Sequence, residues 1–409
     1  MTSKSGNPVS PYRWVVLVLF MLPAIATQVQ WISLAPVATD AANIYTGGDT
    51  KTLDLLAVVF MLVYLPMSFP ASWCIDRLGL KWGTGIGVII LGVSGFLRMF
   101  APDFTWLMVF QVGCAIGQPF VLNSFTKVAG NWFPQEEEAL ASGLATMSVF
   151  LGLAIAMFAP GLIMANYGVG DPAKGIQLIM SIYGIFSLAA MLLYIFLVKD
   201  KPATPPNPIA AEKKVTMLIG IKNLFKNRDF LYLLGAFFIG LGAFNAIMSM
   251  IEDIFRERVS DHAILSTLSL TSIASLIGGL IIVGGIFGAV ILSALSDKYH
   301  KRKIFLVLSM AVSLPLTVVL NYCPNIILLG VTAFVFGFFL VSALPIGLTY
   351  AVEKTHPVPE ATSNGMLMLS GQISGILMVA FFNMNVITVL FGAGLIFALL
   401  MKDVAANKA

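Results

Sequence analysis

Four polar or amphipathic residues stand inside otherwise apolar runs and could recognise a small solute: Trp31, Gln118, Asn245 and Gln372. The chemistry they offer is reversible, because amides donate and accept hydrogen bonds and an indole face attracts a cation. Trp31 lies mid-run among Gln28, Gln30 and Ser33, so its indole N–H needs either a cavity or a polar partner on a neighbouring segment. Gln118 stands between Gly117 and Pro119. The proline removes a backbone hydrogen bond and the glycine admits a close approach, which points to a ligand contact. Gln372 belongs to the small-residue stretch Ser370-Gly371-Gln372-Ile373-Ser374-Gly375, where a solute contact and an interhelical hydrogen bond fit equally well. Asn245, beside Gly242 and Phe244, can donate and accept.

The elements that carry these residues follow from hydropathy. Of 409 residues 58% are hydrophobic and only 11% charged, with a mean hydropathy of +0.91, whereas a soluble domain has roughly a quarter of its residues charged. The chain is therefore read as an integral membrane protein. About 20 apolar residues cross a bilayer as a helix, and twelve such runs are expected: 14–36, 53–75, 83–100, 104–126, 139–165, 175–198, 230–255, 268–295, 304–321, 326–352, 361–382 and 386–401. Asn383-Met384-Asn385 reads as a tight turn between the last two. Lys and Arg concentrate at the termini and in the even-numbered loops, so both termini are expected in the cytoplasm of a cell-membrane protein. The net charge of +4 is a topology signal, and nucleic acid is a poor explanation for it.

The stretch 199–228 divides the chain into halves, 1–198 and 229–409. Pro202, Pro205, Pro206 and Pro208 stiffen its start. Met217, Leu218, Ile221, Leu224 and Phe225 then recur at helical spacing among lysines, which suits a short helix on the inner leaflet or a solvated linker helix. A charged hairpin closes the second run of each half: Asp76-Arg77-Leu78-Gly79-Leu80-Lys81, then Asp297-Lys298-Tyr299-His300-Lys301-Arg302-Lys303. This repetition points to a duplicated unit.

Six spans, a central linker, six more spans and a charged hairpin in each half resemble the major facilitator superfamily. The resemblance implies an all-α membrane protein with twelve transmembrane helices in two pseudo-symmetric six-helix bundles. It also implies that Asp76, Arg77, Lys81, Asp297, Lys298 and Arg302 form cytoplasmic gates, although the same bases satisfy the positive-inside rule. Gly288 precedes the second hairpin, while the first has Pro70 in place of the usual glycine. The segments QWISLAP, GQPFVLNSFTKVAGNWFP and LPIGLTYAVEKTHPVPEATSNGMLMLSGQISGI are similar to the feline leukaemia virus subgroup C receptor family. That family is associated with choline and ethanolamine, with haem, and in a sister branch with pyridoxine. Its choline pocket implies substrate roles for Trp31, Gln118 and Gln372. A pocket tyrosine of the family falls on Asn245, and an asparagine near Leu151, so the aromatic cage is altered here.

Asp54, Arg98, Lys127, Glu252, Asp253, Glu353 and Lys354 all read as lying near helix ends, with Glu252 and Asp253 on a solvated rim. The absence of a mid-bilayer ionisable group favours uniport over proton coupling. Asp54 is a candidate external gate or ion-coupled residue, or a helix N-terminal stabiliser. Cys74, Cys114 and Cys323 show no metal or disulfide spacing, and His262, His300 and His356 fall in loops, so no metal, haem or other cofactor is expected. The methionines read as packing residues, and no nucleophile and base are spaced for an enzyme. The expectation is a monomeric facilitator in membrane lipid whose halves enclose a site for a small polar or amine-type metabolite and expose it to each side in turn. Proton-coupled export of amphipathic drugs or organic ions and a nontransporting receptor are the alternatives.

Overall fold

The computed structural model describes residues 10–202, 204, 217–261, 269–299, 301–358 and 360–403. The chain forms two compact units, Met1–Ala211 and Glu212–Ala409. The first contains α1 (Tyr12–Ile32), α2 (Ala38–Tyr45), α3 (Thr50–Leu97), α4 (Phe104–Leu122), α5 (Phe125–Trp132), α6 (Gln135–Tyr167) and α7 (Pro172–Leu197). The second contains α8 (Met217–Leu224), α9 (Arg228–Ser249), α10 (Ile251–Asp261), α11 (Leu270–Tyr299), α12 (Arg302–Tyr322), α13 (Ile326–Thr355), α14 (Glu360–Ala380) and α15 (Met384–Leu400). Pro205, Pro206, Pro208, His262 and His300 lie outside the described residues.

The 48-residue α3 is two spans, because Gly79 within it has φ +80° and ψ −178°, a conformation open almost only to glycine. Nine helical stretches are long and apolar enough to cross a membrane among the described residues. Dividing α3 at Gly79, and adding α14 and the 17-residue α15, brings the spans to the twelve expected. A Cβ at Gly79 would also meet Asp200 Oδ1 at 2.5 Å, and that oxygen accepts the Lys81 backbone N–H at 3.0 Å. Gly79→Ala is therefore expected to cost about 1–3 kcal/mol, read as a lower unfolding temperature. Gly130→Ala in α5, where nothing lies within 4 Å of the added carbon, should leave that temperature unchanged or raise it.

Short polar side chains set the helix starts. Asp49, Asp103, Asn227, Asn325 and Asn383 each accept a backbone N–H of the helix that follows. The Thr52 hydroxyl, donating to Asp49, holds that carboxyl below its ordinary value. Asn383 caps α15, so Met384 and Asn385 already belong to that helix and the turn expected at 383–385 lies at 381–383. Two expected spans are interrupted. The fourth breaks at Asn123–Ser124, and Met250 separates α9 from α10.

In the first unit Phe20 and Tyr194 meet edge to face at 5.0 Å, and Tyr194 donates to Leu80 O at 3.0 Å, tying the hairpin to α7. Lipid tails are as apolar as leucine, so close packing rather than burial from water must hold such helices together. In the second unit a Cβ at Gly288 would collide with the Phe338 backbone, and one at Gly337 with the Ile281 backbone. Gly288 thus serves the close approach of α11 and α13.

Candidate functional site

A polar junction joins α1, α3, α4 and α7 around Trp31. The buried Trp31 indole donates Nε1–H to Ala57 O at 3.1 Å, so the partner its sequence position demands comes from α3. Next to it, Gln30 uses every polar group. Its Nε2 donates to Tyr183 O at 3.1 Å and Ser187 Oγ at 3.0 Å on α7, and its Oε1 accepts from Arg98 Nη1 at 2.7 Å. The Gln30 carbonyl accepts from the same Nη1 at 3.0 Å and from Gln111 Nε2 at 3.1 Å. Arg98, only 3% exposed, also reaches Ser33 Oγ at 3.3 Å. A guanidinium at the last turn of α1 meets the negative end of the helix dipole, a favourable place for a cation.

Gln118 lies on α4 seven residues past Gln111, hence on the same face and about 10 Å further along the helix. It is 7% exposed, and its amide has no hydrogen-bond partner among the described residues. Pro119 stays inside α4, and the break comes at Asn123. There the Asn123 amide donates to Ser68 O, Ser68 Oγ and Ser72 Oγ at 3.1–3.2 Å and accepts from Tyr64 at 3.2 Å. The fourth span is interrupted without exposing unpaired polar groups, the condition membrane depth imposes on irregular backbone.

In the second unit Asn245 is buried, with Nδ2 3.4 Å from Gly371 O across the α9–α14 contact. Gly371 packs under Leu241, and Ser374 Oγ donates to the same carbonyl at 3.1 Å. The α9–α14 hydrogen bond thus runs from Asn245 to the carbonyl just before Gln372. The half-buried Gln372 amide has no hydrogen-bond partner among the described residues. Of the four candidates, Trp31 and Gln118 fall in the first unit on helices that Gln111 ties together, and Asn245 and Gln372 fall in the second on adjoining helices.

Ion pairs tie each hairpin to another helix of its own unit. Asp76 bonds Lys127 Nζ at 3.2 Å, not Arg77 or Lys81. The Arg77 guanidinium lies over the Trp73 ring and the Lys81 ammonium over Trp82. In the second copy Arg302 bridges Asp297 and Glu353, the latter at 3.1 Å, while the Lys298 ammonium lies near the Tyr299 ring. Each hairpin is therefore latched by an ion pair to the fourth span of its own half, with the charges reversed between copies.

Two further expectations change. Glu252 is 1% exposed in the first turn of α10, so it is no solvated rim residue. Asp54 is also buried, and the capping of α3 belongs to Asp49. Asp54 is the fifth residue of that helix.

Residues 14–379 match the family model described as Major Facilitator Superfamily. The chain belongs to that superfamily. It is a multi-pass membrane protein and a secondary transporter of small molecules, not an enzyme. It is 28% identical over 391 residues to "Choline/ethanolamine transporter flvcr2a" of Danio rerio, covering 92% of this chain and 81% of the relative. It is 30% identical over 389 residues to "Solute carrier family 49 member A3" of Xenopus tropicalis, covering 90% and 77%. Among solved structures, a bacterial homologue of the human lysosomal transporter Spinster, inward-facing and occupied, matches with a TM-score of 0.74 at 18% identity, covering 96% and 97%. That last likeness shows the fold alone.

Within this superfamily chain, Gln30, Arg98 and Gln111 form the network that sequence reasoning missed. One signal was available. Arg98 is among the few bases in an odd-numbered connection, against the positive-inside distribution, and Gln30 places an uncharged acceptor in an apolar run that could receive its hydrogen bonds.

Proposed function

We propose that this transporter carries a small amino alcohol of the choline and ethanolamine class by facilitative alternating access, with Trp31, Gln118, Asn245 and Gln372 as its substrate-binding residues. The observation that carries this reading is Gln118: its residue is 7% exposed and its amide has no partner among the described residues, so its hydrogen bonds are left to a ligand or water. The names of the relatives supply the substrate class. The residue types refine it, because amide oxygens accept hydrogen bonds from a primary ammonium but none from a quaternary one, which instead needs several aromatic faces. With asparagine at position 245, ethanolamine is expected to bind more tightly than choline. The hairpins act as cytoplasmic gates, Asp76 and Arg302 through their ion pairs to the fourth spans and Arg77, Lys81, Asp297 and Lys298 around them. Both termini are cytoplasmic in this reading, which follows from the distribution of Lys and Arg.

The burial of Asp54 and Glu252 favours a second reading, coupling to protons, because a buried carboxylate within the spans can carry a proton. Against it, both lie near helix N-termini, where the helix dipole stabilises the ionised carboxylate. The test is uptake of labelled ethanolamine and choline into proteoliposomes with the membrane potential clamped at zero. Uptake should stop at equal concentrations inside and out, with or without a pH gradient. Accumulation beyond equality driven by that gradient, and lost in Asp54→Asn or Glu252→Gln, would establish coupling instead. No uptake of either amine would reject the substrate class.

A further inference from the structure

Gln111 is fully buried where α1, α3 and α4 meet. Its Nε2 lies 2.9 Å from Leu56 O, 3.1 Å from Gln30 O and 3.5 Å from Trp31 O. Two amide hydrogens can serve the first two carbonyls well, with Trp31 O at the limit of range. One residue beyond Leu56, Ala57 O accepts the Trp31 indole. The arrangement is reciprocal: α4 holds the backbone on either side of the Trp31 Cα, and the Trp31 ring holds the next carbonyl of α3.

Leu56 and Ala57 lie inside α3, where a carbonyl already receives a helical N–H and offers only its second lone pair. These extra bonds are not needed to satisfy the α3 backbone. What they do is fix the position and rotation of the Trp31 ring relative to α3 and α4. A cation is held only when it sits over the ring face within about 6 Å of the centroid, so ring orientation decides the strength of the contact.

We infer that Gln111 is a positioning residue that sets the Trp31 ring for the substrate ammonium. The inference rests on the substrate role proposed above for Trp31. The other half of the same amide separates positioning from packing, because Gln111 Oε1 is buried with no hydrogen-bond partner among the described residues. Replacing the amide with the isosteric thioether of methionine removes the donor bonds and a desolvated acceptor together, two opposing effects on stability. Stability should change little while the orientation of the ring is released.

The test uses the full chain labelled with 5-fluorotryptophan, the Trp31 resonance being assigned by its loss in Trp31→Phe. Gln111→Met should shift or broaden that resonance while leaving those of Trp14, Trp73, Trp82, Trp106 and Trp132 in place. It should weaken ethanolamine binding about tenfold, and the same substitution should have little effect on affinity in the Trp31→Phe background. Gln111→Glu, which turns an acceptor toward the three carbonyls, should perturb the resonance at least as much. An unmoved Trp31 resonance in Gln111→Met, or equal affinity losses with and without Trp31, would overturn the assignment. If the unmodified protein binds neither ethanolamine nor choline, the substrate reading fails, and the resonance alone then decides whether Gln111 sets the ring.

Discussion

Replacing Gln30 with leucine is expected to lower the stability of the protein by about 3–5 kcal/mol, a fall in unfolding temperature on the order of 10 °C. Three consequences combine. The two bonds to Tyr183 O and Ser187 Oγ disappear, which loosens α7 against α1. Arg98 loses the short bond to Oε1 while remaining buried. The Gln30 backbone carbonyl is then the main acceptor left to a cation that cannot reach water. Gln28→Leu, two residues away, provides the comparison. Gln28 is as buried, but its one side-chain hydrogen bond among the described residues is to the hydroxyl of its own neighbour, Thr27. Its loss should cost about 1 kcal/mol. Thermal unfolding of the detergent-solubilised variants decides the matter: equal midpoints for Gln28→Leu and Gln30→Leu would show that the network does not hold the first unit together.

The same contrast explains how much could be read from the sequence. The spans were legible because a bilayer imposes a length and a composition on any segment that crosses it. The hairpins were legible as a repeat, since an acid followed by bases recurs after the second apolar run of each half. The breaks at Asn123 and Met250 were not, because a few polar or flexible residues vanish into a window some twenty residues wide. Pro119, the visible helix breaker, lies inside α4, and the interruption follows four residues later, where Ser68 and Ser72 of α3 receive the Asn123 amide. Nor could the sequence distinguish Gln30 from Gln118. Both are glutamines in apolar runs, and what separates them is whether residues 68, 81 or 157 positions away in the chain supply partners.

Gln118→Leu should therefore behave in the opposite way to Gln30→Leu: binding of ethanolamine weakened about 10- to 100-fold, with the unfolding temperature within about 2 °C of the unmodified protein. The substitution removes no hydrogen bond of the protein to itself, because the amide makes none among the described residues. Leucine is close to glutamine in size, so packing changes little. The loss appears only when a ligand is present. An amide that completes a substrate's hydrogen bonds becomes, once replaced by a methyl-tipped side chain, a surface against which an ammonium or hydroxyl is desolvated without return. For that reason the penalty should be larger for ethanolamine, which brings three ammonium donors, than for choline, which brings only its hydroxyl. Isothermal titration of both amines against both proteins reads this difference directly. A drop in unfolding temperature with unchanged affinity would make Gln118 a structural residue like Gln30. Equal penalties for the two amines would place the amide at the hydroxyl end of the substrate, the one group they share.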